Sequence, residues 1–307
     1  MGRMDQTSTR PVLCVGQATL DHIFRIESLA AGHKHVATSH QSVGGGVAAN
    51  ASVAVSRLGG RALLVSCVGA DTAGDQVVLE LADEGVDVSH LQRRASGTTP
   101  TSCVLVDGSG ERTIVNHTPL DLFDDDVPDL DGIRPGAVLV DGRWPAGARR
   151  ALRRARALGA PGVVDVDRAP TDGDVADLGL ATHLVFSADA LADFSATDDP
   201  AAGLRRSAAS IDATVAVTLG GQGVAWLDDD GTFLTMPAFD VDVVDSTAAG
   251  DVFHGAFALG LAERLEVPDA LRFASAAAAL KCARPGGRLG APGRRAVDEL
   301  LGAAVES

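Results

Sequence analysis

No uncharged apolar run in the 307-residue sequence is long enough to cross a membrane, so no membrane partner is expected. Positive charge is scarce: 26 Lys and Arg against 41 Asp and Glu leave a formal net charge of −15. A nucleic-acid partner requires a basic face, and this balance argues against one. Small anions are not excluded, because a few local arginines can dominate a pocket. Cysteine is sparse too. Cys14, Cys67, Cys103 and Cys282 lie far apart in apolar company, without the close pairs of a zinc or redox motif, and read as buried reduced thiols. His22, His35, His117 and His254 lack ligand-like spacing. The GxxxxGK[ST] arrangement of a P-loop is missing, and no GxGxxG opens a dinucleotide-binding unit. The opening stretch MGRMDQTSTR is polar and leads straight into a strand; no export signal is expected, and the expected location is cytoplasmic. The acidic run at 121–131 reads as a solvated surface turn.

What the sequence does contain is an alternation of strands and helices. PVLCVGQATLDHIFRI reads as a buried strand that breaks at Gly16 and carries Asp21 and His22 past its end. A small, apolar helix over about 47–58 follows, then the strand RALLVSCVG and the helix DQVVLELADEG. Further strands fall in GAVLVDGRW, GVVDVDR, THLVFSA and TVAVT, with an arginine-rich helix over 146–158. This rhythm predicts a mostly parallel sheet, whose ligands sit beyond the carboxyl ends of its strands. Residues 33–43 and 101–117 break it and read as antiparallel strands, the second pair joined through Asp107-Gly108-Ser109-Gly110. They predict a small β lid across the strand ends, with sheet edges suited to a homodimer.

The stretch DSTAAGDVFHGAF, Asp245 to Phe257, sets an acid after three small residues at the mouth of an apolar helix, following FDVDVV, which alternates like a strand. A helix starting near Ala249 presents unsatisfied N–H groups to an anion. Asp251 in its first turn reads in two ways. It is either a charge that complements the helix dipole, or the general base that takes a proton from a substrate hydroxyl while the adjacent N–H groups stabilise a transferring phosphoryl group. Two glycine-rich turns accompany it. In VGGGVAAN the backbone can approach a polyol and Asn50 can bond a hydroxyl; in VTLGGQG, Thr218 and Gly220 can border a nucleotide.

Over essentially the full chain these residues resemble the ribokinase-like (PfkB) family of ATP-dependent carbohydrate and nucleoside kinases. One family signature resembles Gly45 through Ser52, followed by Gly59 and Gly69; the other resembles Asp245 through Ala258. The resemblance implies an α/β three-layer sandwich with a mostly parallel central sheet, forming one domain over 1–307 whose β lid is built from about 22–43 and 98–118. It implies Asp251 as catalytic base and the backbone of Ala248, Ala249 and Gly250 as anion hole. Asp21, Gly45, Gly46 and Asn50 match sugar-binding positions, and Thr218, Gly220 and Gly223 match the nucleotide-side turn. Two departures stand out. Ala248 replaces a common glycine, which is tolerable at negative φ and costly otherwise. Ser187 and Ala190 stand where many relatives carry Asn-x-x-Glu, so Ser187 borders the nucleotide and no protein ligand for Mg2+ is assigned; the ion would arrive on ATP, held by phosphates and water.

Arg143 beyond a strand end, Asn116 on a lid strand and Lys34 in the first lid segment together suit a tetrahedral oxyanion. Each also has a plainer reading, as a surface ion pair, a lid hydrogen bond and a solvated charge respectively. With DVFHGAF and RFASAAAALKCARPGGRLG these stretches look similar to bacterial sulfofructose kinases within the family, implying ATP-dependent phosphorylation of 6-deoxy-6-sulfofructose at its 1-hydroxyl. The alternatives are fructose 6-phosphate, a neutral sugar such as ribose or fructose, and a non-catalytic sugar or nucleotide sensor.

Overall fold

Runs of Val, Leu and Cys without polar interruption are stable as strands only when both faces are covered, and Val12–Val15 (β1) is buried at every position. In the computed structural model the described residues are 10–30, 32–109, 111–119, 121–168 and 177–304. Most of the polar opening stretch, residues 1–9, and Gly110 of the expected lid turn lie outside them. After β1 come β2 (Thr19–Arg25), β3 (Ser39–Gly45), α1 (Val47–Arg57), β4 (Ala62–Gly69), α2 (Thr72–Asp83) and β5 (Asp87–Arg94). The hairpin β6 (Thr101–Val106) and β7 (Arg112–His117) precedes β8 (Ala137–Val140), α3 (Pro145–Leu158) and β9 (Gly162–Val166). Then follow β10 (His183–Ser187), α4 (Ala188–Ser195), α5 (Pro200–Ser210), β11 (Thr214–Thr218), β12 (Val224–Leu227) and β13 (Phe233–Met236). The chain closes with α6 (Ala249–Ala262), α7 (Val267–Cys282) and α8 (Arg294–Ala303).

Among the described residues the central sheet has the order β13-β12-β11-β10-β9-β8-β1-β4-β5, parallel except at the β11–β12 and β12–β13 pairs. Alternation along β1 sends Val12 and Cys14 into one core with α1, α6 and α7, and Leu13 and Val15 into another with α3, α4 and α5. The expected three-layer α/β sandwich is therefore observed. No helix among the described residues is long and apolar enough to cross a membrane.

The lid is a second sheet of order β3-β2-β6-β7, in which β2 and β6 run parallel and the other pairs antiparallel. Asp21 and His22 belong to it: the chain breaks at Gly16 as expected, but it resumes as lid strand β2 rather than running on past the end of β1. Other segments also differ from the sequence reading. β5 was not anticipated, because Asp87–Arg94 is a half-exposed edge strand whose polar residues mask its period. FDVDVV forms no strand; the N–H groups of Val244 and Asp245 both donate to the Cys282 carbonyl, at 2.8 and 3.0 Å, so the segment is tied to the end of α7 instead of to a neighbouring ladder.

Candidate active site

Small side chains on two helices bring the site together. α1 is built largely from Ala, Val and Ser, and α6 carries Gly255 one turn beyond Asp251. A Cβ at Gly255 would lie 2.5 Å from the Ala51 carbonyl oxygen, so the backbones can meet only because that atom is absent. At the mouth of this contact Asn50 Nδ2 donates to Asp251 Oδ2 at 2.7 Å.

The turn before α6 is strained. Ala248 is left-handed, φ 62°, the conformation in which its methyl costs about 1–2 kcal/mol. Ala249 N–H is directed to Ser246 O at 3.2 Å, and Val252 N–H returns to Ala248 O at 3.0 Å. The N–H groups of Gly250 and Asp251 thus open the helix without an acceptor inside it. Apart from its chain neighbours and its own helix backbone, nothing lies within 4 Å of where a Gly250 side chain would begin, so the approach is clear.

In front of this turn, between it and the lid, lies a cleft of about 770 Å³ whose lining includes Asp21, Gly46, Asn50, Asn116, Arg143 and Asp251. Gly45 supports it from beneath: a Cβ there would fall 2.1 Å from Asp21 Oδ2. Lys34 is exposed, on the segment between β2 and β3, and is not among the lining residues. Arg143 lines the cleft but is ion-paired to Asp167, so its charge is already matched. The structure therefore brings Asn116 and Arg143 to the acid and leaves Lys34 apart. Outside that lining, Ser187 and Thr218 are paired at the ends of β10 and β11, with Gly220 and Gly223 in the turn that follows. Gly223 has φ 96°, and a Cβ on it would meet Met236 O at 2.0 Å. Ser187 caps α4 by accepting from Ala190 N–H at 3.2 Å. Ala190 is buried, and its methyl offers no oxygen to a cation.

The electrostatics around Asp251 favour a neutral acid. Burial is the chief cause, and the negative charges of Asp165 and Asp141 add to it; the Asn50 hydrogen bond and His254 oppose them, and the carboxyl is pushed up to about 7. Asp165 is raised well above its ordinary value by burial and then by Asp167 and Asp141. His254 Nδ1 lies 2.7 Å from Gly250 O and 3.1 Å from Asp165 Oδ2, and burial depresses its pKa. A neutral imidazole donating from Nδ1 fits this position. Asp141, also buried, accepts N–H groups from Gln17 at 2.7 Å, Ala48 at 3.2 Å and Arg143 at 2.8 Å, and so joins the end of β8 to the start of α1.

Arg112 escaped the sequence reading. From β7 its guanidinium reaches Thr247 Oγ1, and Ser246 Oγ at 3.3 Å, across the cleft mouth. The signal was present: Arg112, Ile114 and Asn116 alternate along one strand, and all three line the cleft.

The family model for pfkB family carbohydrate kinases matches residues 9–294. A ribokinase from Haemophilus influenzae is 26% identical over 298 residues, covering 94% of this chain and 97% of that protein. A solved Agrobacterium tumefaciens protein is 36% identical with a TM-score of 0.90, covering 97% of this chain and 99% of its own. An Arabidopsis thaliana ribokinase solved with ribose and ATP is 25% identical with a TM-score of 0.87, covering 95% of this chain and 99% of its own. The chain belongs to the pfkB family of carbohydrate kinases, and is an ATP-dependent enzyme that phosphorylates a sugar hydroxyl.

Proposed function

We propose that the enzyme phosphorylates a primary hydroxyl of a neutral pentose or ketose, ribose or fructose being the first candidates, with Asp251 as the base. The observation that carries this reading is the half-buried Asp251 carboxyl, held by Asn50 at the edge of the cleft with the opening N–H groups of α6 beside it. A proton taken from the hydroxyl goes to Asp251 as the oxygen attacks the terminal phosphorus of ATP. The bond to the leaving oxygen breaks, and ADP departs. The donors at Gly250 and Asp251, with the turn at Ala248 and Ala249, stabilise charge on the phosphoryl oxygens during transfer. Asp21, Gly45, Gly46 and Asn50 orient the sugar. Ser187, Thr218, Gly220 and Gly223 border the nucleotide, and magnesium accompanies its phosphates.

The neutral sugar is favoured because Arg143 is engaged by Asp167 and Lys34 stands outside the cleft, and because the Haemophilus and Arabidopsis relatives named above are ribokinases. A second reading, 6-deoxy-6-sulfofructose phosphorylated at its 1-hydroxyl, draws support from Arg143 and Asn116 lining the same cleft as Asp251. Comparison of kcat/KM for ribose, fructose, fructose 6-phosphate and sulfofructose decides between them. Preference for an anionic sugar, with Arg143→Ala selectively impairing it, would replace the first reading. Absence of sugar-dependent ADP formation with all four would remove both. We also propose a homodimer through the lid, whose strand β7 exposes Val115 at 64%; a monomer by light scattering at micromolar concentration would rule it out.

A further inference from the structure

Beneath the turn that enters α6, a lysine is sealed from solvent, and phosphoryl transfer as described gives it no role. Lys281, in the last turn of α7, is 0% exposed. A buried ammonium is costly unless oxygens replace its water. Here they do: Nζ donates to Asp245 O at 2.6 Å and Arg284 O at 3.4 Å, and lies 3.6 Å from Asp245 Oδ2. The Asp245 carboxylate in turn accepts N–H groups from Thr247 at 2.8 Å, Gly286 at 3.0 Å and Gly287 at 3.3 Å. One positive charge therefore clips the segment at 245–247 to the segment at 284–287. The first of these runs directly into Ala248 and the opening N–H groups of α6. Two carbonyls and a carboxylate around a single positive charge are also the ligand chemistry of a free monovalent cation such as potassium.

We propose that Lys281 is a tethered monovalent cation: its ammonium occupies a carbonyl-lined cation site and holds the phosphate-cradling turn in place, so that transfer needs no added potassium or ammonium ion. The inference rests on reading the start of α6 as that cradle. Lys281 is a positioning residue, since it acts through Asp245 and the turn. A methionine would fill its volume and leave the carbonyls without a partner, and an alanine would open a space that a small cation can enter.

The test is ADP formation in potassium chloride against tetramethylammonium chloride at equal ionic strength. Wild-type kcat should change less than about twofold, while Lys281→Met should lose about 100-fold in kcat with little change in sugar KM, the scale of a misplaced reacting group. Lys281→Ala should recover about tenfold or more on adding potassium, ammonium or methylammonium, but not the bulky tetramethylammonium, as expected when a bound ion restores the turn. Thermal unfolding without substrate gives a second readout: small cations should raise the midpoint of Lys281→Ala and not that of the wild type. A wild type that is inactive without potassium overturns the proposal. So does a Lys281→Ala variant with wild-type kcat in tetramethylammonium chloride, or one whose midpoint is the same in every salt. If the wild type turns over no sugar, the kinase reading fails alone, and the midpoints still decide the role of Lys281.

Discussion

Replacing Asp251 with asparagine should stabilise the fold while abolishing turnover, and the gain should grow with pH. The carboxyl is pushed from its ordinary 3.8 up to about 7, chiefly by burial. Because the folded state holds the proton more tightly than the unfolded state, the acid adds no penalty below about pH 4. Stability is then lost as pH rises from about 4 to about 7, and the loss is complete above that. At about 1.4 kcal/mol per pH unit the full penalty is about 4 kcal/mol, of which about 2–3 kcal/mol develops between pH 5 and pH 8. Asparagine has no proton to lose and can still accept the Asn50 hydrogen bond, so it avoids this term. The favourable effect of a first-turn carboxylate, up to about 1 kcal/mol, is forfeited in exchange. Urea unfolding of both proteins at pH 5, 6, 7 and 8 measures the difference. The variant should gain about 2 kcal/mol relative to wild type between the lowest and highest pH, with the steepest change below pH 7. A difference that stays flat across the series, or falls with pH, would show that Asp251 is ionised at no cost in the fold and would refute the reasoning.

Three other perturbations test the same geometry. kcat/KM should fall about tenfold per unit as pH drops below about 7, as for a base with the pKa of Asp251; a profile flat down to pH 5.5 would assign proton removal elsewhere. Gly255→Ala sets a methyl 2.5 Å from Ala51 O and should cost about 1–3 kcal/mol while lowering kcat through the Asn50–Asp251 contact; unchanged stability and turnover would mean that α1 and α6 separate freely. Ala248→Gly relieves a left-handed alanine and should stabilise by about 1 kcal/mol without loss of kcat, measured by thermal unfolding and steady-state rates; a lower midpoint would contradict the strain.

The part of the site that was legible in the sequence is the part made by neighbours in the chain. Ala248 to Asp251 combines small residues, an acid and a helix start within four positions, and local sterics alone give that run its meaning. The glycines ahead of α1 are similar: Gly46 takes φ 93° at its start. What could not be read depends on contacts between distant segments. The charge of Arg143 is answered by Asp167 on the other side of α3, and Lys281 meets Asp245 from the far end of another helix. FDVDVV alternates like a strand, yet the N–H groups at its end bond to the Cys282 carbonyl instead of joining a ladder. The sheet itself was legible because parallel strands buried on both faces leave apolar runs; β5, at the edge, has only one face to bury and left none.

Several carboxylates sit partly or wholly out of solvent near this turn, and the donors and charges that face each one separate their tasks. Asp245 accepts three N–H groups and faces the Lys281 ammonium; burial opposes its ionisation, but hydrogen bonds from Thr247 and Gly287 and the Lys281 charge prevail and hold it well below the usual carboxylate range. Asp141 also has three N–H donors and joins two elements. Both serve as anchors, but only Asp245 is held low, where the Lys281 charge joins the donors; burial raises Asp141 despite its three N–H groups. Asp251 has one side-chain donor, Asn50, and two acidic neighbours, Asp165 and Asp141, which burial also raises. An acid left so poorly compensated is destabilising, and the base role proposed for Asp251 would give its readiness to take a proton a use at the edge of the cleft. Supplying Asp251 with a second donor should therefore lower its pKa, stabilise the protein at neutral pH and slow transfer together, since the same unmet hydrogen bonds underlie all three.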